Sequence, residues 1–479
     1  MSGRRSTGRA PTPQRRAVGS WPLPCALGVA LLASTPGRAQ DSQYWDIQYG
    51  PVGQLLGGQV VGSTRDLSAT YYNPGGLALA TNPEFLLSVQ AFSVRKYSVQ
   101  PVGGGPLFSI SQTDWATFPG FVALTFPRSW FGEKTQLAFS LLTRQQLVER
   151  IDQRFTGDAP TKSGRYGLET LFDENMQETW GGLTLSHRFS DRFGLGATLY
   201  GVYRGQRTRW EQSLQLAYPD GSGVSALIVD DFDYSHWRVL GKVGLAWEGD
   251  SARLGLAVTT PSAGLFGSGK ASFTRSATGA DLNGDGQPDS LLLNGLDEDL
   301  DSSYRSSWAV SAGGSWRRGS LQIHASGEWF AAVSTFDVLQ GKTDTNTGSP
   351  ITLTQGLRSV FNAGAAVEYW LGGVSADRGS SSGGTALYGS FRTDFSASPD
   401  VVPDEAASSN MDLYHVTGGT AFSLGSSRFS LGVEYAFGRK SRDFGVGGLP
   451  PGIPVIGESL PVEARISRWV FMVGYLFGR

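Results

Sequence analysis

The chain of 479 residues carries 40 Lys and Arg against 42 Asp and Glu, with 65 Gly, 4 Met, one Cys and 11% aromatic residues. So much glycine beside so little methionine speaks for many short strands and turns and against a helical protein. The single cysteine excludes a disulfide framework or a cysteine metal site, and the charge balance argues against nucleic acid as a partner.

Residues 1–39 read as a secretory signal peptide. Arg4, Arg5, Arg9, Arg15 and Arg16 precede the apolar run "LPCALGVALLAS" and then "GRA", with cleavage expected after Ala39. The run is too short for a spanning helix, which needs about 20 apolar residues. Cys25 lies inside it, and Pro24 before it argues against a lipoprotein site. Those five arginines and Arg38 leave with the signal and no acid does, so 34 basic residues remain against 42 acidic ones, a net charge of −8. No Pro/Ser linker or compositional shift divides the rest into soluble domains.

Residues 40–82 show no strand alternation. They are rich in small residues, "GQLLGGQVVGSTRDLSATYYNPGGLALA", and apolar enough to fold. From residue 83 to 479 the alternation is strict. In "RFSLGVEYAFG", Phe429, Leu431, Val433, Tyr435 and Phe437 share one face, opposite Ser430, Gly432, Glu434 and Ala436. Similar segments predict strands at 84–100, 119–127, 135–155, 176–190, 192–216, 235–248 and 251–275. Seven more follow at 304–317, 320–334, 354–371, 384–397, 411–424, 427–439 and 463–477, about fourteen in all, an even number as in single-chain bacterial barrels.

Two observations favour a membrane barrel over a soluble sandwich. Trp237 with Trp247, and Trp308 with Trp316, bracket single strands as interfacial girdles do. The connections also sort by length. "SDRFG", "EGDS", "RRGS" and "GSSR" fall at one end, and 156–175, 276–303, 335–353 and 440–462 at the other, matching short periplasmic turns and long extracellular loops. The expected fold is therefore all-β: a transmembrane antiparallel barrel of about fourteen strands over 83–479, in the cell outer membrane, with 40–82 as a small plug in the lumen. A barrel this wide leaves a lumen that must be closed if it is not to leak.

On these residues the chain resembles a known family. "GGQVVGSTRDLSATYYNPGGLAL" is similar to the N-terminal hatch of FadL-type outer-membrane transporters of long-chain fatty acids and aromatic hydrocarbons, whose signature is Asn-Pro-Ala. Here the signature positions are Asn73, Pro74 and Gly75, and the glycine is expected to loosen the turn. The resemblance extends through "FPGFVALTFP" and "RLGLAVTTPSAGLFGSGKASF" to the closing hairpin. It implies passive transport of a hydrophobic small molecule, a hatch that rearranges on ligand binding, and sideways exit at an inward kink of the third strand, here 135–155. It implies no enzymatic step and no required cofactor; a monomer is expected. The final "RWVFMVGYLFGR" resembles the signal read by the barrel-assembly machinery, although Gly478 and Arg479 follow the aromatic Phe477. The rival expectation is a related barrel that serves as a secretion shuttle or protein-docking platform.

"DLNGDGQPD" places Asp281, Asn283, Asp285 and Asp289 at calcium-loop positions one, three, five and nine, with Gly286 at the sharp turn. A structural calcium is the expectation, although position twelve is Leu292 in place of glutamate. His187, His236, His324 and His415 are scattered singly, without metal-helix or triad spacing, and "GSSSG" at 379–383 fits nucleophile-elbow letters only inside a low-complexity loop. Arg204, Arg238, Lys242 and Glu328 are expected to face the lumen as part of an internal polar network.

Overall fold

A computed structural model describes residues 43–81, 83–101, 108–115, 120–158, 164–343, 350–371, 384–399, 410–444 and 460–478. The signal peptide, Cys25 and the "GSSSG" stretch lie outside them.

Nineteen strands are found among the described residues: β1 (Pro83–Pro101), β2 (Phe108–Trp115), β3 (Phe121–Thr125), β4 (Thr135–Asp158), β5 (Arg165–Ser190), β6 (Phe193–Ala217), β7 (Gly223–Glu248), β8 (Ala252–Thr259), β9 (Ala263–Ala280) and β10 (Asp289–Asp301). Then follow β11 (Ala309–Arg318), β12 (Leu321–Phe330), β13 (Val333–Thr343), β14 (Pro350–Leu357), β15 (Val360–Leu371), β16 (Thr385–Asp394), β17 (Leu413–Leu424), β18 (Ser427–Phe444) and β19 (Leu460–Gly478). They make fourteen staves: β2 and β3 share one, β8 and β9 another, β10 leads into β11, and β13–β14 is a separate hairpin between β12 and β15. Neighbours pair antiparallel, and β19 pairs back on β1 from Pro83↔Gly478 to Pro101↔Val462, closing the sheet. Closure pairs the first strand with the last, so that neither presents a free edge to lipid.

Alternation sets what each face meets. On β6 and β7 the outward series is Leu199 (65% exposed), Tyr203, Val243 and Trp247, while Tyr200, Val202, Leu240 and Ala246 are buried inside. Trp237, Trp247, Trp308 and Trp316 are all exposed at the two rims of this apolar belt. Tyr203, Trp237 and Phe266 stand side by side at one rim, with ring centroids 5.0 and 6.2 Å apart.

The short connections fall where expected, at 191–192, 249–251, 319–320 and 425–426. Gly319 and Gly425 open two of them at φ 60° and 59°, the first central position of a tight hairpin turn that favours glycine. At the other end the strands run further than the sequence suggests. β2 begins at Phe108 against an expected 119, β5 at Arg165 against 176, and β7 at Gly223 against 235. Within the expected loop 276–303, β10 pairs with β9, and 335–353 is largely the β13–β14 hairpin. Beyond the lipid both faces tolerate charge, as with Asp230, Asp231 and Asp233 on β7, so the lipid-type alternation fades while the ladder continues.

Residues 43–81 lie against the inner wall. They form a run of turns and two four-residue helical turns, Ala69–Tyr72 and Pro74–Leu77. Tyr49, Leu55, Leu67 and Leu77 pack with Leu86, Phe121, Leu142, Tyr200 and Leu240 of the barrel in one apolar cluster.

Candidate functional site

Asn73 stands between the two helical turns and bonds in three directions. Its Oδ1 accepts from the Gly75 amide at 3.1 Å, capping the second turn, while its Nδ2 donates to the carbonyls of Val61 and of Leu245 on β7, each at 2.8 Å. Pro74 follows at the first helical position, where its missing donor and fixed φ are no handicap. Gly75 has a reason other than a loosened turn. A Cβ there would lie 2.5 Å from the Gly244 carbonyl oxygen and 2.8 Å from that of Gly194, so the chain is pressed onto the wall too closely for any side chain. Gly244 faces it in turn: its Cβ would meet Asn73 Oδ1 at 2.1 Å and the Pro74 ring at 2.8 Å.

A small cavity of about 50 Å³ lies between the segment and the wall. Tyr44, Tyr71, Trp180, Tyr304 and Phe330 supply aromatic rings, and Arg144, Arg238, Lys242, Glu178 and Glu328 supply charge. Arg204 and Arg238 share the Glu178 carboxylate at 3.2 and 2.5 Å, and both guanidinium groups sit over the Tyr304 ring, at 4.2 and 4.5 Å. Of the four residues expected to form an internal network, Arg204 and Arg238 meet on Glu178, which the sequence did not single out, whereas Glu328 accepts from Trp45 Nε1 at 2.7 Å.

Two cations stand apart from that network. Arg144 lies about equally near the rings of Tyr44, Tyr71 and Trp180, at 6.0, 5.8 and 5.7 Å, and its buried Nη1 has no hydrogen-bond partner. Lys242 holds its ammonium 4.7 Å from the Tyr71 ring centre, with no hydrogen bond or ion pair among the described residues. Burial pushes the Tyr71 hydroxyl up to about 12, so the ring stays neutral beside them. Glu178 and Glu328 line the same cavity, and buried cations on aromatic walls favour an anion attached to an apolar body.

The wall is irregular at the same place. β4 pairs with β5 along its length, with a bulge between Thr143 and Gln145 that leaves Arg144 as the extra residue. The burial phase flips there, from even-numbered residues inward before the bulge to odd-numbered after it. On its other side β4 pairs with β3 only over Ala138–Leu142, and Thr143 then donates to the Gly120 carbonyl at 3.0 Å. From Arg144 upward no ladder joins β4 to β2 among the described residues; β2 pairs with β1, whose Arg95 donates to the Val148 carbonyl of β4.

The acidic loop lies at the β9–β10 hairpin tip, apart from the cavity. Asp281 accepts from the amides of Gly284, Asp285 and Gly286, and Asp289 from those of Leu282 and Asn283. The Asn283 amide lies between Asp285 and Asp289, 3.3 and 3.4 Å from their carboxylates. The four residues are therefore brought together as their spacing suggests. Among the described residues a different trio, Asp46, Asp394 and His415, brings potential metal-ligand atoms within 4.8 Å of one another. Sequence spacing gives no sign of this group, since β16, β17 and the N-terminal segment meet only in the closed barrel.

A closed, lipid-belted barrel of fourteen antiparallel staves is an outer-membrane protein. In fold it is like the FadL-type channels. It superposes on a FadL homologue from Pseudomonas aeruginosa with a TM-score of 0.60 at 14% identity, covering 91% of this chain and 100% of that one. The Pseudomonas putida toluene transporter TodX gives 0.55 at 13% identity, covering 90% and 99%. CymD, a monoaromatic hydrocarbon channel, gives 0.50 at 12%, covering 90% and 98%. No family model and no curated protein matches the sequence.

Proposed function

We propose that this protein is a passive channel for hydrophobic small molecules bearing an acidic head, long-chain fatty acids first among them, with residues 43–81 acting as its plug. The observation that carries this is the cavity at the β4 bulge: aromatic walls for the apolar body, Arg144 and Lys242 for the head, and beside them a β2-facing edge of β4 that carries no ladder among the described residues. Transfer of apolar surface from water drives entry, and no chemical step is needed. Exit runs sideways past Arg144, and the Asn73–Pro74–Gly75 seat holds the plug closed. The structures of similar fold, a FadL homologue and channels for toluene and monoaromatic hydrocarbons, support a hydrophobic solute.

The test is uptake of labelled oleate by cells lacking their own transporter, with heat-modifiable migration as the measure of barrel folding. Asn73→Ala with Pro74→Ala should alter uptake while the folded band persists. Wild-type cells that take up neither oleate nor toluene would overturn the reading and favour the docking barrel.

A further inference from the structure

Asp46 belongs to the N-terminal segment, Asp394 ends β16 and His415 lies near the start of β17. His415 is fully buried, and its Nδ1 lies 2.8 Å from Glu434 Oε1 and 3.1 Å from Arg392 Nη2. That Nε2 has no hydrogen-bond partner and points to Asp394 Oδ2, 3.9 Å away. A ring nitrogen buried without a hydrogen-bond partner is costly unless something binds it.

The surroundings are arranged as around a ligated metal. A metal-bound histidine commonly donates its other ring N–H to a carboxylate, and ligating carboxylates are themselves held by hydrogen bonds. Glu434 serves His415 and is anchored by Arg392 at 2.7 Å; Asp394 Oδ1 accepts the Trp45 amide at 2.9 Å; Asp46 is held by Arg468.

We infer that Asp46, Asp394 and His415 bind one divalent cation of the zinc class, stapling the start of the plug to the barrel wall. One imidazole with two carboxylates is a borderline donor set that suits zinc better than calcium. Ligand atoms around tetrahedral zinc stand roughly 3.3 Å apart, from bonds of about 2.0–2.2 Å, so the trio needs only a modest contraction. The staple ties residues distant in sequence, and it would have to open before the segment could move.

The test uses the purified full-length barrel, incubated with zinc, dialysed and assayed for metal by mass spectrometry, with and without EDTA. Wild type should retain about one zinc per barrel, and His415→Gln and Asp394→Asn should each retain at least tenfold less. Zinc should also slow proteolysis of the 43–81 segment several-fold in wild type and leave it unchanged in His415→Gln. Heat-modifiable migration shows that each variant is folded; should His415→Gln fail it, Asp394→Asn carries the comparison. Equal zinc in wild type and variants would overturn the assignment. So would protection of the segment that follows pH in the presence of EDTA, because the bridging charge would then be a proton on His415. Neither readout depends on which solute the channel carries.

Discussion

The closeness of Asn73–Pro74–Gly75 to β7 makes Gly244→Ala the most direct perturbation of the proposed plug. The new methyl carbon would stand 2.1 Å from Asn73 Oδ1, 2.8 Å from Pro74 Cδ and 2.9 Å from Pro74 N. The proline ring and backbone cannot rotate away, and Asn73 is tied by hydrogen bonds at 2.8, 2.8 and 3.1 Å, so the segment must lift. Overpacking of this kind costs about 1–3 kcal/mol, and each hydrogen bond lost adds about 0.5–1.5 kcal/mol. Losing the bond to Leu245 together with the steric penalty amounts to roughly 2–4 kcal/mol, a shift of about 30- to 1000-fold in the seated population. Gly241→Ala is the control, three residues along the same strand on the outward face, where the nearest atom to a new Cβ is Thr260 Oγ1 at 3.8 Å. Both variants should migrate as folded, heat-modifiable barrels. In planar bilayers Gly244→Ala should show leak current that wild type and Gly241→Ala lack, and a cysteine at Ser63 should label faster in it. Wild-type conductance and labelling in Gly244→Ala would refute the proposal that this contact seats residues 43–81 as a plug.

Arg144→Gln with Lys242→Gln should lower oleate uptake at least tenfold while sparing toluene, which has no charged head; equal loss of both would assign these cations to structure alone. Single cysteines at Ser222 should label on intact cells and those at Asp191 and Gly319 should not, since they sit at opposite ends of the staves; labelling of all three would reverse the orientation. Asp285→Ala should speed proteolysis of the β9–β10 tip only when calcium is supplied, a proposal resting on the convergence of Asp281, Asn283, Asp285 and Asp289; equal cleavage with and without calcium would leave a loop closed by its own backbone bonds. Burial raises the Asp66 carboxyl above its ordinary 3.8, so its ionised form opposes docking, and this opposition grows as pH rises through the carboxylate range. Asp66→Asn keeps an acceptor for the Ser68 amide at 2.8 Å, and should protect the segment from protease at neutral pH at least as well as wild type; weaker protection would show that the charge itself is needed.

Much of this protein was legible in the order of its residues. Period-two alternation depends only on neighbours along one strand, so Phe429 to Phe437, the tryptophan pairs and the short turns disclosed a barrel, its stave number and the sorting of its ends. The stretch before residue 83 lacks strand alternation, and in the structure Asn73 caps the turn that Pro74 begins. The strand extensions at 165–175, 223–234 and 289–301 escaped notice because above the lipid the outward face is no longer required to be apolar. Other features arise from closure alone. Gly244 reads as one more small residue until the plug is laid against it, and Arg144 as one more charge until the β4 bulge turns it inward beneath Tyr44 and Tyr71. His415 is a lone histidine in sequence and gains Asp46 and Asp394 only when β16 and β17 enclose the N-terminal segment. Alternation specifies which face a side chain takes, whereas the partner it meets across the lumen depends on closure, on register and on how a threaded segment packs inside, and no local pattern encodes these.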